Sequence, residues 1–442
     1  MKILIIGAGQ VGTTIIEALR SEHSVTVVDT DPVRLSALSY RYDVLTLEGN
    51  GASRKVLLEA GISETDLVIA CTQRDEVNIV AGILAERLAP NARTIIRTQN
   101  VEYLEVWRER QLDVDFVVSS ELETANAIAR IVGIPAARQT DVFAEGQVLM
   151  VEFDVPKGAA VGQTIGQKLK DAEIPADSKV ASIIRGNRMI VPRGDESIEP
   201  GDRVIVIGSP DAARAWSRIF AQGRDRVVDV VLFGAGDTGV QIAQVLIAEE
   251  TAVRIVEANG PRARDVAELL PDARVFHANG MDADFLERER IGTAEAAIFA
   301  MPSDERNLYA ATLAKLHGVA FTVAVVVDPI SVPVLEQAGV DVVVNPRLVT
   351  AEEIVRFAHD PRIRQMAMLE GDRFEILDIT VRGDSELVGK PFRELPMTGS
   401  LIGAIVRGEQ AIFPHGDDML QPGDRAIIFA EAARVSQVER AL

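Results

Sequence analysis

Cysteine is almost missing from this chain of 442 residues, where Cys71 stands alone. A disulfide framework and a cysteine metal cluster are therefore excluded, and the composition fits a reducing compartment. Basic residues are also short: 46 Lys and Arg face 66 Asp and Glu, for a formal charge of −20. That balance argues against nucleic acid as a partner, because such binding needs clustered cations. It argues equally against adhesion to anionic lipid. An acidic surface serves either solubility or a partner with a basic docking face. Long apolar runs are missing too; those present span about 4–8 residues, too few to cross a bilayer. The opening Lys2-Ile3-Leu4-Ile5-Ile6 reads as a strand and has no signal-peptide architecture. The expected location is cytoplasmic, with no direct membrane insertion.

Catalytic constellations are equally sparse. The five histidines (His23, His277, His317, His359, His415) lie outside catalytic-looking segments, and none of Tyr40, Tyr42, Tyr103 or Tyr309 has a lysine four residues on. A nicotinamide dehydrogenase needs a proton donor beside its carbonyl. GxSxG and HExxH motifs are absent. Cys71 follows Val68-Ile69-Ala70 in an apolar strand and reads as core.

What is present is duplication. Gly7-Ala8-Gly9-Gln10-Val11-Gly12 recurs as Gly234-Ala235-Gly236-Asp237-Thr238-Gly239, a shift of 227. Asp75-Glu76-Val77-Asn78 matches Asp304-Glu305-Arg306-Asn307, Asp115-Phe116-Val117-Val118 matches Asp341-Val342-Val343-Val344, and Pro200-Gly201-Asp202-Arg203 matches Pro422-Gly423-Asp424-Arg425. The shift drifts only through 229, 226 and 222, so the halves are one duplicated unit with small loop changes.

Each half begins with alternating strands and helices. Strands are expected near 2–7, 25–29, 44–48, 67–71, 94–97 and 115–118, apolar on both faces as in a parallel sheet covered on both sides. The fold class is α/β, with two Rossmann-like doubly wound sheets, each followed by a small α/β module. Within the first module we expect a strand over 148–155, a short helix over 164–171 and a hairpin over 180–191. A further strand over 203–207 and a helix over 211–220 complete it. Domains are assigned to 1–135, 136–222, 227–360 and 361–442, with linkers near 135–146, 222–226 and 359–373.

The glycine loops carry the chemistry. The first glycine allows the tight turn, the second admits the backbone to a pyrophosphate, and the third lets the helix close on the strand. First-turn amides and the helix macrodipole then favour phosphate without a lysine. Candidate cofactor contacts in the first half are Gly7, Gly9, Gln10, Val11 and Gly12. Asp29, ending strand two, is placed to accept from a ribose diol, which selects NAD(H) over NADP(H). Arg34 could oppose that choice but is expected to be solvated. Asn50, in the turn Gly49-Asn50-Gly51, and Thr72, Asp75, Asn78 and Arg97 lie on the same carboxyl edge. Asp75 and Glu76 can equally be a helix-start charge pair, and Asn78 can cap a turn. The second-half candidates are Gly234, Gly236, Asp237, Thr238, Gly239, Glu257, Asn279 and Asp304. Asp237 brings a carboxylate toward the pyrophosphate, and Arg97 aligns with Val326, so unequal sites are expected. Ala125, Ile128, Ala129 and Val132 form an apolar stripe suited to a neighbouring lobe or to the helix's own sheet.

The glycine loop with its strand-two acid, the Gly49-Asn50-Gly51 turn, Thr72-x-x-Asp75-Glu76-x-Asn78 and the appended module resemble an RCK (or KTN) domain. Over essentially the whole chain the tandem arrangement resembles the regulatory subunits of bacterial Trk potassium uptake. The resemblance implies a homotetramer whose RCK units form a ring beneath the membrane. It implies docking on a membrane-embedded potassium-translocating subunit (TrkH- or TrkG-like), and responses to NAD(H) and to ATP or ADP. The alternative class is an NAD-dependent oxidoreductase.

Overall fold

The computed structural model describes residues 1–20, 23–134, 136–159, 162–186, 188–220, 227–358, 363–369, 374–395, 400–408 and 410–442. These fall into two compact units that interleave along the chain: residues 1–126 with 229–358, and 127–228 with 359–442.

The first unit holds two Rossmann-like lobes. The first lobe runs β1 (Lys2–Ile6), α1 (Gln10–Leu19), β2 (Ser24–Asp29), α2 (Pro32–Arg41), β3 (Leu45–Glu48), α3 (Arg54–Glu59) and β4 (Leu67–Ala70). It continues through α4 (Asp75–Leu88), β5 (Arg93–Thr98), α5 (Val101–Arg108), β6 (Phe116–Ser119) and α6 (Ser120–Gly133), whose residues from 127 onward belong to the second unit. Its six strands are parallel in the order β3-β2-β1-β4-β5-β6. Strand order reverses between β1 and β4, so Ile6 pairs with Val28 on one side and Ala70 on the other. That reversal opens the crevice in which such sheets bind ligands. Both faces are apolar because helices cover both: Leu4, Ile5, Val27, Val68 and Ile69 are all fully buried. The four stripe residues Ala125, Ile128, Ala129 and Val132 are buried on α6.

The first small module contributes β7 (Ala137–Phe143), β8 (Val148–Asp154), β9 (Ser178–Arg185), β10 (Arg188–Ile190), β11 (Arg203–Gly208) and α7 (Pro210–Phe220). The second lobe repeats the first as β12 (Asp229–Phe233), α8 (Asp237–Ala248), β13 (Ala252–Glu257), α9 (Gly260–Leu269), β14 (Arg274–His277), α10 (Ala283–Arg288) and β15 (Ala296–Phe299). It ends with α11 (Asp304–Leu316), β16 (Thr322–Val325), α12 (Ser331–Gln337), β17 (Val342–Val344) and α13 (Pro346–Ala358). Its sheet order, β14-β13-β12-β15-β16-β17, is that of the first lobe. The last module comprises β18 (Ile363–Leu369), β19 (Phe374–Thr380), β20 (Ser400–Arg407), β21 (Gln410–Ile412), β22 (Arg425–Glu431) and α14 (Val435–Ala441).

Within the first unit the lobes meet through α13, which packs on α1. Thr350 Oγ1 and Ser120 Oγ are hydrogen-bonded at 3.0 Å, and Arg93 donates to the Phe357 carbonyl at 2.9 Å. In the second unit two five-stranded sheets, β10-β9-β11-β8-β7 and β18-β19-β22-β20-β21, share one core of Phe143, Met150, Ile207, Ile376, Ile427 and Phe429. Gly403 makes this close packing possible, since a Cβ there would lie 2.5 Å from Ile207 Cδ1.

Three expectations need correction. Residues 164–171 form turns rather than a helix: Gly166 adopts φ +82°, and Ile165 bridges in parallel to Ile198. Strand β7 occupies the expected linker at 135–146, and β18 occupies part of that at 359–373. Strand β7 reads Ala-Arg-Gln-Thr-Asp-Val-Phe, too polar to announce itself, and borrows its order from pairing with β8. The structural counterpart of Arg97 is Val325 rather than Val326. Ala70 pairs with Ile96 as Phe299 pairs with Ala324, and Asn78 and Asn307 bond the carbonyls of Arg97 and Val325. The expected linker at 222–226 and the hairpin residue Asn187 lie outside the described residues.

Candidate nucleotide site

The loop between β1 and α1 is built around the needs of its three glycines. Gly7 has φ +116°, in the left-handed region that favours glycine. A Cβ on Gly12 would sit 1.9 Å from the Gly7 carbonyl oxygen, so α1 can close on β1 only without one. Gly9 differs: a Cβ there would meet only Arg34 Nη1, at 4.0 Å. The space beyond Gly9 is open, and the first turn of α1 has no side-chain cap. Its amides therefore present uncancelled partial positive charge to whatever fills that space. Asp29 holds the loop from the other side, accepting from the Ala8 and Asp31 amides through different oxygens. Its carboxylate is thereby fixed at the end of β2, with lone pairs left for a diol.

A cavity of about 270 Å³ extends from this loop. Gly7, Gly9, Gln10, Val11, Asp29 and Asn50 line it, joined by Thr72 and Arg97. Arg34, Arg74 and Arg347 line it too. Four guanidinium groups against the one lining acid make this a cationic pocket on an acidic chain. Such a pocket concentrates field on an anion. Arg97 is 6% exposed and donates from Nε to Ser120 Oγ at 2.7 Å. Burial depresses its pKa, and the Arg347 charge adds to that depression.

Not every expected residue faces the cavity. Asn78 is fully buried and spends its amide inside the fold: Oδ1 accepts from Thr72 N and Oγ1, and Nδ2 donates to the Thr72 and Arg97 carbonyls. It positions Thr72 instead of reaching a ligand. Asp75 accepts from Thr98 Oγ1 and from the Gln99 and Asn100 amides, fastening the loop after β5. Asp304 does the same for Val327 and Asp328. Asn50 accepts from the Ala52 amide and Asn279 from that of Met281, so each organises its own turn.

The second cradle keeps the backbone and changes the charges. Gly234 has φ +100°, a Cβ on Gly239 would lie 2.2 Å from the Gly234 oxygen, and Gly236 faces open space. Glu257 accepts from the Ala235 and Asn259 amides, as Asp29 does in the first lobe. Gly234, Gly236, Glu257 and Asn279 line a cavity of about 360 Å³; Asp237, Thr238 and Gly239 do not. Arg262 lies across the loop, donating from Nε to the Ala235 carbonyl at 2.7 Å and from Nη2 to Asp237 at 3.0 Å. Asp237 thus holds a guanidinium of its own lobe.

Arg74 and Arg347 of the cavity lining escaped the sequence reading. Arg34, expected to be solvated, is indeed exposed, and it also lines the cavity, with its Nε 3.2 Å from Asp31. The repeat contained the signal, since Arg262 is its counterpart. Arg347 belongs to the other lobe, 337 residues from the Gln10 that it touches, and no local spacing links them.

Two doubly wound lobes with glycine cradles, each followed by a small antiparallel module, define a tandem RCK-type chain. The TrkA-N domain family matches residues 3–120 and 230–346, and the TrkA-C domain family matches 150–221 and 376–442. The chain belongs to the TrkA family of Trk-system potassium uptake proteins. It is 33% identical over 450 residues to the "Trk system potassium uptake protein TrkA homolog 1" of Methanosarcina mazei, covering 100% of this chain and 99% of that protein. The TrkA of Halomonas elongata is 32% identical, with coverage of 100% and 98%. The fold is similar to the GsuK RCK domain (TM-score 0.63, 17% identity, 100% and 94% covered). It is similar also to the GsuK channel bound to NAD (TM-score 0.61, 18% identity, 100% and 79% covered). Membership is thus in a transport family and not in a family of enzymes.

Proposed function

We propose that this protein is a cytoplasmic, nucleotide-sensing regulatory subunit that controls potassium flux through a membrane-embedded translocating partner of TrkH or TrkG type. It assembles as a homotetramer and associates with the membrane only through that partner. No helix among the described residues is long and apolar enough to span a bilayer. The ligand of the first cradle is NAD(H), with ADP and ATP competing through the adenosine and phosphate groups they share with it.

One observation carries this reading: Gly9 opens onto unfilled space at the uncapped start of α1, while Asp29 is pinned beside it by two backbone amides. The amides, Arg97 and Arg34 would hold the pyrophosphate, and Asp29 the adenosine ribose. A bound nucleotide moves a gate only through differential affinity for two ring shapes. A ratio of about a hundredfold, near 3 kcal/mol, is ample.

The test is copurification with the translocating partner, followed by flux measurements with and without NADH. Calorimetry on Asp29→Ala gives the site. Loss of NADH affinity in that variant and nucleotide-dependent flux are expected. Unchanged affinity would remove the ribose assignment, and hydride transfer at enzymatic speed would remove the regulatory one.

A further inference from the structure

We propose that Arg347, a residue of the second lobe, is a phosphate ligand of the first cradle, so that nucleotide binding and lobe–lobe contact are one event. The inference rests on the first cradle being a nucleotide site.

The geometry is specific. Arg347 stands in the first turn of α13, one turn before Thr350, and both point at the first lobe. At home its Nη1 donates to the Val327 carbonyl at 3.0 Å. The same group donates across the boundary to Gln10 Oε1, in the glycine loop itself. Arg347 thus lines the cavity beside Gly9 and Arg97. A guanidinium fork pairs with two phosphate oxygens at once, a far better match than a neutral amide oxygen. Arg97 reaches the same boundary from below. Its Nε bonds Ser120 Oγ, and Ser120 bonds Thr350 of α13. Two of the four guanidinium groups lining the cavity, Arg97 and Arg347, therefore lead to one helix of the other lobe.

The duplication shows that this arrangement is one-sided. Asp115 caps β5 through Thr94 as Asp341 caps β16 through Thr322, which makes Glu121 the counterpart of Arg347. Thr124 and Thr350 confirm the shift, each bonding the carbonyl four residues before it. Glu121 feels the charge of Asp237 in the second glycine loop. The position that brings a cation to the first cradle thus carries an acid, Glu121, in the other repeat. In the second cradle Arg262 already pairs with Asp237.

The test uses Arg347→Gln and Arg347→Lys in the full chain, with NADH fluorescence and displacement by ADP-ribose and by adenosine. Adenosine has the ribose and base without the phosphates. Arg347→Gln should weaken NADH and ADP-ribose by about ten- to a hundredfold, the range of a lost charge-assisted bond, and leave adenosine within about twofold. Arg347→Lys should fall between, keeping the charge without the fork. Equal weakening of all three ligands would mean that Arg347 merely holds the loop, and would overturn the proposal. Unchanged NADH affinity would overturn it as well. Failure of the parent protein to bind NADH at all would instead remove the site reading beneath it.

Discussion

Phe357 of α13 lies face to face with Phe116 of β6, ring centroids 4.4 Å apart and planes 3° from parallel. Arg93 closes the stack, its guanidinium 5.6 Å from the Phe357 ring and bonded to that residue's carbonyl. The two lobes of the first unit are joined here by an aromatic pair at one end of α13 and by Arg347 at the other. Phe357→Ala removes the stack and half-buried ring area, a loss of about 1–3 kcal/mol. The expected result is a lower urea midpoint. Proteolysis should become faster at the boundary between lobes, while isolated lobe folding persists. An unchanged midpoint would show that the stack contributes nothing.

In the small modules the repeated Pro-Gly-Asp-Arg turn owes its recurrence to one aspartate. Asp202 is 2% exposed; it takes a bidentate contact from Arg185 at 2.9 and 2.8 Å and a third bond from the Glu199 amide. Asp424 is 1% exposed and repeats this with Arg407 at 2.9 and 2.9 Å and the Gln421 amide. Asp202→Ala leaves the Glu199 amide without its acceptor, while Arg185 keeps the Ser197 carbonyl and Glu199. A loss of about 2–3 kcal/mol is expected. Asp424→Ala should cost the same within about 1 kcal/mol, because the geometry is the same. Melting curves of the two variants measure this directly, and a large difference between them would contradict it.

These cases show why some of the molecule was legible in the sequence. Both lobes were, because a buried parallel strand must be apolar on both faces and a phosphate turn must have glycine where Gly7 and Gly12 stand. The turn aspartates Asp202 and Asp424 left their mark as a repeat, although the arginines they bind, Arg185 and Arg407, stand on β9 and β20. Strand β7 was not legible, since an edge strand tolerates polar residues and takes its conformation from its neighbour. Asn78 looked like a ligand because sequence places it near the crevice, yet its four hydrogen bonds all go to backbone or to Thr72. Arg347 was hidden for a different reason: its role depends on how two lobes dock, which no spacing within either one encodes. The reversal from Glu121 to Arg347 between repeats was the trace it left.

Cys71 sits under the cradle at 3% exposure, its Sγ 3.8 Å from the Gly7 carbonyl oxygen. Burial pushes its thiol up to about 12, with Arg97 opposing that shift and Asp29 adding to it. At pH 8 the thiolate fraction is roughly 10³-fold below that of an ordinary cysteine. Iodoacetamide should therefore leave the native protein unlabelled over hours and label it within minutes in denaturing urea. Mass spectrometry reads both. Rapid native labelling would show that the pocket floor opens.

Glu121 makes the sharpest pH prediction. Burial raises its carboxyl to about 7; Asp75 and Asp237 push the same way, against its own backbone hydrogen bond and Arg97. Its Oε2 is buried without a hydrogen-bond partner among the described residues. The native state therefore binds this proton more tightly than the unfolded chain, whose carboxyl titrates near 4.5. Where the folded form holds more protons, stability falls as pH rises. The loss should begin near pH 4.5 and be complete just above pH 7, amounting to about 3 kcal/mol at most. Glu121→Gln has no proton to lose. It should melt like the parent at pH 5, where Glu121 is already neutral, and several degrees higher at pH 8. Because Asp237 contributes to the shift, Asp237→Asn should move the parent's transition to lower pH. Parallel melting profiles for parent and Glu121→Gln across that window would mean that Glu121 is ionised at no cost, and that its surroundings are wetter than its burial indicates.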